Sequence, residues 1–309
     1  MRLAFTDTLI KLAKKDKRIF LLTGDLGYAV LEGFIEKYPK RFFNMGVAEQ
    51  NMVGAAAGLA LSGKIPYVFS IATFPVMRAL EQIRNDVCYQ NLNVKIIGVG
   101  SGLTYSLYGA THQSIDDVNM MRGLPNMTVI SPGDPLEVKA AIEFSLKHQG
   151  PVYIRIAAKG EPNIHNKSFN FEVGKGIVIN KGEDITLMVS GNMLANANLA
   201  AQELEKKGIS VRLISMPFVK PIDKQIILKA AKETKAIFTF EEHSIIGGLG
   251  SAVAEVLAES NIPKVLFKRI GLPDVYPSEI GNWDYLREKY GFSSDKLAKN
   301  ILRIYKNKG

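Results

Sequence analysis

The sequence predicts an α/β protein of two domains, each built on a mostly parallel β-sheet with flanking helices. Apolar, β-rich runs alternate with helical patterns along the chain, and its 309 residues are enough for two domains. Between Gly160 and Gly182 the periodicity stops, and Asn, Lys and Gly become frequent. We therefore expect domains at residues 1–165 and 180–309, joined by a linker at 166–179.

The first domain is predicted to begin with an amphipathic helix in MRLAFTDTLIKLAKKDKR, which lacks the apolar core of a signal peptide. Buried strands are predicted at IFLLTG (19–24), YVFSI (67–71), VKIIGVG (94–100), MTVISP (127–132) and VYIRIA (152–157). Helical patterns lie between them at 46–62, 75–90 and 134–148. Asp134, which stands between two prolines, is the expected N-cap of the last of these helices.

The second domain repeats this alternation of strands and helices. Strands are predicted at ITLMVSG (185–191), VRLISMPF (211–218), AIFTFEEH (236–243) and KVLFKRIG (264–271). Helices are predicted at 193–207, at 222–233, after the glycine-rich turn 247–250 and near the C-terminus. Close packing of a strand against a helix explains the glycines of that turn. An anion held at the helix N-terminus is the alternative.

Bulk composition narrows the function. The chain is 47% hydrophobic and 22% charged, as in an ordinary soluble protein, and its apolar runs are too short to span a bilayer. A single cysteine, Cys88, excludes an internal disulfide framework, so we expect a cytoplasmic protein. The net charge is +9, but the lysines are spread out, so a solvated basic surface, anionic small substrates or an acidic partner explain the charge better than nucleic acid does.

Other short motifs give weaker signals. The GVGSG run at 98–102 follows a strand but does not open into a helix, as a dinucleotide-binding turn must. His148, His165 and His243 lack metal-ligand spacing, so we expect no zinc site. The sequence contains neither a Walker-type phosphate loop nor a nucleophile elbow.

Five motifs, in order, carry a resemblance to the C-terminal half of transketolase. They are MRLAFTDTLIKLAKKDKRIFLLTGDLG, FFNMGVAEQNMVGAAAGLAL, TFPVMRALEQIRND, GATHQSIDDVNMMRGLPNMTVISPGD and FTFEEHSIIGGLGSAVAEVL. The chain resembles the small subunit of a split, two-chain transketolase of the thiamine diphosphate-dependent superfamily. The resemblance implies a pyrimidine-binding-type parallel-sheet domain followed by a transketolase C-terminal α/β domain. It also implies transfer of a two-carbon ketol unit from a ketose donor to an aldose acceptor, in central metabolism or a specialised sugar pathway.

The resemblance assigns cofactor-binding roles to three residues. Glu49 matches the glutamate that hydrogen-bonds the pyrimidine nitrogen of thiamine diphosphate and so promotes removal of the thiazolium proton. Phe74 matches the aromatic residue that stacks on the pyrimidine. Arg78 lies in the same motif, which implies contact with the cofactor. The structural alternatives are a helix-capping Glu49 and a Phe74 that belongs to the core.

The resemblance also assigns substrate-binding roles. His112 matches a catalytic histidine that faces the reacting sugar oxygens, and Gln113 follows it in the same motif. Arg2 matches an arginine that contacts the substrate phosphate, and Lys159 falls near the position of a second such arginine, where it could offer a point charge. Tyr108 lies at a position that faces the sugar. The alternatives are a structural histidine beside a turn, a terminal arginine outside any site and an exposed surface lysine.

Two positions depart from the family pattern. Transketolases carry an aspartate where this chain has Tyr108, and a histidine near the position of Gly100. A site that hydrogen-bonds hydroxyl groups discriminates strongly between substrates. These two changes therefore predict altered recognition of the sugar, while the cofactor chemistry is unaffected.

The chain also lacks the Gly-Asp-Gly motif and distant asparagine with which the family binds diphosphate and Mg²⁺. The resemblance therefore implies an N-terminal transketolase-like partner subunit that binds Mg²⁺ and the diphosphate. We expect a heterotetramer with two copies of each chain, with the small-residue helix at 48–60 in an interface. The functional alternatives are a 2-oxo-acid decarboxylating enzyme, similar to deoxyxylulose-phosphate synthase or a dehydrogenase β subunit, and a non-catalytic regulatory half.

Overall fold

The computed structural model describes residues 1–158, 160–165 and 168–307. Within these ranges the strands form two sheets, one of seven strands and one of five. Neighbouring residues of one strand, Ile96 and Ile97, belong to different apolar clusters, so the first sheet is covered on both faces. The second sheet likewise separates two apolar clusters. The predicted α/β class is confirmed.

The strands follow one another in chain order as β1 (Ile19–Thr23), β2 (Phe42–Asn44), β3 (Ile65–Ile71), β4 (Lys95–Val99), β5 (Thr128–Ile130), β6 (Val152–Ile156), β7 (Ile177–Asn180), β8 (Ile185–Val189), β9 (Val211–Ser215), β10 (Phe218–Lys220), β11 (Ala236–Ser244) and β12 (Leu266–Leu272). The first sheet has the order β10-β5-β6-β4-β3-β1-β2, and the second has β12-β11-β8-β9-β7. β10 and β7 are antiparallel to β5 and β9. The other described pairings are parallel, as expected for strands buried on both faces.

The helices follow the same alternation. In chain order they are α1 (Arg2–Lys15), α2 (Glu32–Lys37), α3 (Glu49–Leu61), α4 (Thr73–Arg78), α5 (Leu80–Gln82), α6 (Asp117–Arg122), α7 (Pro135–Lys147), α8 (Leu194–Glu205), α9 (Lys224–Glu233), α10 (Leu249–Ala258), α11 (Trp283–Lys289) and α12 (Ser294–Lys306). Among the described residues, no helix combines the length and the apolar character needed to cross a bilayer.

One predicted helix is interrupted. Periodicity predicts a single helix over 75–90, but α4 ends at Arg78 and Ala79 leaves helical geometry, with φ −113° and ψ 25°. Helical structure resumes at Leu80, and Ile83–Cys88 then forms a widened, π-type stretch. Such irregular turns redirect side chains and are frequent near functional sites. Here the break makes Arg78 the last residue of the short helix α4.

The sequence prediction also misplaces short strands. β7 lies inside the connecting stretch, where the sequence predicts no strand. The run 211–218, predicted as one strand, is split, because β9 ends at Ser215 and Phe218 begins β10 in the first sheet. Pro217 lies between them and has no N–H to donate to a sheet. Its carbonyl accepts a 2.7 Å hydrogen bond from Ser131 N at the end of β5. Strands of three or four residues are too short for periodicity to detect.

A buried arginine, Arg155, connects the two sheets. Arg155 on β6 and Asp117 on α6 are at most 2% exposed, and Arg155 Nε lies 2.9 Å from Asp117 Oδ2. The Tyr153 hydroxyl donates to the same carboxylate at 2.5 Å. Arg155 Nη2 donates to the carbonyls of Ser114, at 2.6 Å, and Glu242, at 3.0 Å. Since Glu242 lies on β11, one guanidinium joins elements of both domains.

The connection between the domains is fixed to the start of α7. Asp134 accepts a hydrogen bond from Glu137 N at 2.8 Å, which confirms the predicted N-cap. Its second oxygen accepts from the backbone N–H groups of Ile164 and His165. The His165 Nε2 atom lies 2.7 Å from Glu137 Oε1. A cap that stabilises α7 thus also holds the first part of the connection.

We expect this connection to be more stable when His165 is protonated. Burial lowers the pKa of His165, but the hydrogen bond and charge of Glu137 outweigh burial, so the pKa lies above its ordinary value. The contribution of a group whose pKa rises on folding is fully present below about pH 6.5 and is lost as pH rises through the folded-state pKa. His165→Gln should therefore lower the free energy of unfolding by about 1–2 kcal/mol near pH 6, and by less at pH 9.

Denaturant unfolding at a series of pH values measures this difference. His148→Gln is the matched control, because burial and then the charge of Lys95 lower the pKa of His148. Its contribution therefore falls as pH drops below about 6.5, opposite in sign to that of His165. If His165→Gln left the dependence of stability on pH unchanged, the protonated pair would not be what holds the connection.

Candidate active site

Glu49 lies at the edge where the parallel strands of the first sheet end. After β2 the chain turns through Gly46, with φ +71°, and Glu49 becomes the first residue of α3. Carboxyl ends of parallel strands meet at one edge, which is where ligands of such sheets bind. Gly24, just beyond β1, packs close to this carboxylate, since a Cβ at Gly24 would lie 3.4 Å from Glu49 Oε1.

The Glu49 carboxylate is buried and only half satisfied. Its residue is 2% exposed, and its Oε2 atom accepts a 3.0 Å hydrogen bond from Arg78 Nη1. Its Oε1 atom has no hydrogen-bond partner among the residues that the structure describes. The described contacts contain no side-chain cap for α3, so the carboxylate faces Arg78 rather than its own helix. An unpaired buried carboxylate oxygen is an acceptor available to a ligand.

Arg78 joins Glu49 to an aromatic residue. The Arg78 Cζ atom lies 4.4 Å from the centre of the Phe74 ring, a cation–π contact. Phe74 is half-buried on the short helix α4. Together with the residues that follow Gly46, Glu49 and Arg78 line an open depression of about 500 Å³.

His112 continues this row of side chains. Its ring centre is 5.1 Å from that of Phe74, with the two rings at 73°. On its other side the Tyr108 ring lies at the same centroid distance. Thr111 Oγ1 is 2.9 Å from His112 Nδ1 and orients the imidazole. Burial lowers the pKa of His112, and the positive charge of Arg78 lowers it further, so the imidazole is neutral near pH 7.

Arg2 lies in a second, smaller cavity. Tyr108, which is 65% exposed, stands between this cavity and His112. The cavity has a volume of about 240 Å³. Its walls come from both domains and include Arg2, Thr104, Tyr105, Tyr108, Ala158, Asn282 and Trp283. The first domain thus supplies the cation, and the start of α11 supplies the opposite wall.

The structure brings most of the predicted site residues together. Glu49, Arg78, Phe74, His112 and Tyr108 form one continuous row.

Among the described residues, Arg2 and Gln113 lie outside this row, and Arg2 lines the smaller cavity. Gln113 is 2% exposed, and neither amide atom has a hydrogen-bond partner among the described residues. Lys159 lies outside the described residues.

The sequence prediction missed most of the wall of the smaller cavity, since only Arg2 and Tyr108 were named in advance. Tyr105, Asn282 and Trp283 all line its wall. The paired tyrosines of TYSLYG were the available signal for Tyr105. Asn282 and Trp283 come from a distant part of the chain, and only the contact between the domains brings them to the site.

Comparison with known proteins agrees with this architecture. The family model for the transketolase pyrimidine binding domain matches residues 1–159, and the model for the transketolase C-terminal domain matches residues 174–297. Among solved structures, a split gene transketolase described as an inactive beta4 tetramer is 40% identical, with a TM-score of 0.91. That similarity covers 100% of this chain and 99% of the other.

Curated relatives are similar over nearly the whole chain. A 6-deoxy-6-sulfo-D-fructose transketolase subunit, SqwH, from Clostridium sp. (strain MSTE9) is 40% identical over 100% of this chain and 95% of its own length. A subunit of an apulose-4-phosphate transketolase from Actinobacillus succinogenes is 40% identical over 89% of this chain and 88% of its own length. The two family models match the chain in order, and the first of them covers both Glu49 and His112. The chain therefore belongs to the transketolase family.

Proposed function

We propose that this chain is the C-terminal subunit of a two-chain transketolase and carries the pyrimidine-binding half of a thiamine diphosphate site. The assembled enzyme transfers a two-carbon ketol unit from a ketose donor to an aldose acceptor. The observation that carries the proposal is the buried Glu49 carboxylate, with one oxygen held by Arg78 and the other left without a described partner. The relatives' names, which specify a sulfonated and a phosphorylated sugar, support a substrate with an anionic group.

The residues at this edge fit the cofactor. A buried carboxylate oxygen without a partner destabilises a protein by about 1–3 kcal/mol, and a protonatable ring nitrogen relieves that penalty. Phe74 offers a half-buried ring for a flat heterocycle. When bound, thiamine diphosphate supplies a nucleophilic carbon and an electron sink. Glu49 would share a proton with the pyrimidine nitrogen through Oε1, and Arg78 fixes the orientation of the carboxylate through Oε2.

His112 acts on the substrate side of the row. Because its imidazole is neutral near pH 7, it can accept a proton from a sugar hydroxyl or donate a hydrogen bond to an oxygen. Phe74 and Tyr108 hold the ring from two sides. Arg2, in the adjoining cavity, contacts the anionic end of the sugar. Gln113 and Lys159 complete the proposed substrate-binding set.

The rest of the cofactor site belongs to a partner. We assign Mg²⁺ and the diphosphate to an N-terminal transketolase-like subunit, with two copies of each chain in a cytoplasmic heterotetramer. The exposed side of α3 supports an interface there, since a Cβ at Gly54 or Gly58 would meet nothing within 4 Å and Leu61 is 65% exposed. The split gene relative, described as an inactive beta4 tetramer, supports dependence on the partner.

The assembled pair should transfer ketol units and should not decarboxylate pyruvate. Incubation with a ketose phosphate and an aldose phosphate is expected to yield the exchanged sugars by chromatography. Pyruvate is expected to release no CO₂ above background. The reverse outcome would favour the decarboxylating alternative, and turnover of neither substrate class would favour a regulatory half.

Isothermal calorimetry provides the matching control on assembly. This chain alone should show negligible affinity for thiamine diphosphate, whereas the pair with Mg²⁺ should bind it. Tight binding by the isolated chain would overturn the proposal of a shared site.

Glu49→Gln should lower kcat of the assembled enzyme by about 100-fold or more, because an amide cannot exchange a proton with the pyrimidine nitrogen as a carboxyl group can. Glu143→Gln is the control, since Glu143 is an exposed glutamate whose described ion pair is with Lys139 on the same helix. Unchanged melting temperatures would show that both variants fold. Wild-type turnover by Glu49→Gln would refute the proposed role of this residue.

Replacing Arg78 should make His112 easier to protonate. Since the positive charge of Arg78 lowers the pKa of His112, Arg78→Gln should move the titration midpoint of that imidazole upward. NMR titration of the isolated chain measures the midpoint, and His112→Gln identifies the signal. The control is Arg84→Gln, which removes an exposed guanidinium bonded to Asn85. Equal midpoints in the wild type and Arg78→Gln would show that the charge does not act on His112.

A further inference from the structure

The backbone of Gly100 and the ring of Tyr105 form one packed unit. Gly100 follows β4 with φ +88°, a conformation that residues with a side chain rarely adopt. A Cβ at this position would lie 2.0 Å from Tyr105 Cε2 and 2.3 Å from Cδ2. The aromatic ring therefore occupies the space that a side chain at position 100 would need. The absence of the histidine that the family pattern has near position 100 and the presence of Tyr105 therefore belong to one arrangement.

Tyr105 faces the smaller cavity beside the reacting row. Its ring centre is 6.1 Å from that of Tyr108, whose ring contacts His112. Burial raises the pKa of the Tyr105 phenol, although the charge of Arg2 acts in the opposite direction. The phenol is therefore protonated at neutral pH and available as a hydrogen-bond donor. The cavity is thus lined by both the Arg2 guanidinium and the Tyr105 phenol.

The loop that carries Tyr105 is held in place by the second domain. Gly102 lies against Glu242, since a Cβ at Gly102 would be 2.5 Å from Glu242 Cγ. The opposite wall is fixed to the same residue, because Trp283 Nε1 donates to Glu242 Oε1 at 3.1 Å. Arg287 Nε also donates to Glu242 Oε1, and its Cζ lies 3.3 Å from the Trp283 ring centre. Both walls are therefore fixed relative to each other, as a selective pocket requires.

The cavity suits one end of a sugar rather than a whole cofactor. Its volume of about 240 Å³ is below the range of about 300–1,000 Å³ common for complete ligand pockets. Tyr108 lines this cavity and its ring contacts His112, so the cavity adjoins the proposed position of the reacting carbons. Arg2 offers the charge that a phosphate or another anionic end group needs.

We infer that Tyr105 is a specificity-determining residue that recognises the part of a phosphorylated ketose remote from the reacting carbons. Its hydroxyl donates a hydrogen bond to an oxygen of the sugar chain, and its ring limits the length of chain that the cavity accepts. This inference rests on the proposed ketol transfer and adds to it the source of substrate selection. A site built around such a hydrogen bond discriminates against substrates that lack the matching oxygen.

Steady-state kinetics of the assembled two-chain enzyme test the inference. The donors are ketose phosphates of different chain length and erythrulose, a short ketose without phosphate. Tyr105→Phe should raise KM for the ketose phosphates about tenfold, the loss expected for one hydrogen bond, with kcat nearly unchanged. Erythrulose, which does not reach the cavity, should keep its wild-type kcat and KM.

A second pair of variants tests the role of the ring. Tyr105→Leu removes the ring and should change the order of preference among the ketose phosphates. Gly100→Ala should have a similar effect, because the added methyl group displaces Tyr105. Tyr276→Phe, at a 69% exposed tyrosine outside the cavity, is the control and should match the wild type. Melting temperature and calorimetric binding of thiamine diphosphate to the pair verify folding and assembly.

The possible outcomes separate this inference from the proposed function. An equal loss with erythrulose and with the ketose phosphates in Tyr105→Phe would show a general structural role and overturn the inference. Unchanged KM and unchanged preference in the Tyr105 variants would also overturn it. Absence of ketol transfer in the wild-type pair would instead reject the proposed function itself.

Discussion

The arrangement of both domains depends on the buried residue Glu242, whose carboxylate binds elements of the second domain and whose backbone carbonyl binds Arg155 of the first. The carboxylate accepts hydrogen bonds from Asn192, Trp283 and Arg287, and Arg155 donates to the backbone carbonyl. Four donors from three segments, namely β6, the turn after β8 and α11, thus converge on one fully buried residue of β11. Replacing a buried polar cluster by apolar residues is often neutral or stabilising, so stability alone does not explain it. The cluster instead fixes the orientation of the surrounding segments, because each hydrogen bond holds its donor at a defined distance and angle.

This fixed geometry extends to the row of side chains from Glu49 to Tyr108. Arg155 also donates to the carbonyl of Ser114, and Gly102 N donates to the same carbonyl at 2.9 Å. The loop that bears Tyr105 and the loop that bears His112 are therefore tied to each other and to the second domain. The second domain has no residue in the row from Glu49 to Tyr108. It nevertheless fixes the position of the loops that bear His112 and Tyr108. Its contribution to the proposed reaction is to fix positions rather than to react.

How much of this is visible in the sequence depends on the range of the interaction. Long apolar runs predict the central strands, because strands covered on both faces have few polar positions. Motifs local in sequence identify Glu49, Phe74 and His112 as site candidates. β10 escapes prediction because three residues carry no periodicity, and its partner β5 lies far away in the chain. The packing of Tyr105 on Gly100 escapes for a different reason, since only the turn between them brings the ring onto the backbone.

The two cavities divide the work of the proposed enzyme. The depression beside Glu49 is open, and we assign its completion to the partner. The smaller cavity beside Tyr105 is lined by residues from both domains of this chain. We therefore expect changes at the smaller cavity to alter which sugar is accepted without disturbing Glu49 and Arg78, the residues we assign to the cofactor. Such a separation lets one reaction serve sugars with different end groups, because binding energy far from the reacting carbons sets selectivity while the chemistry stays constant.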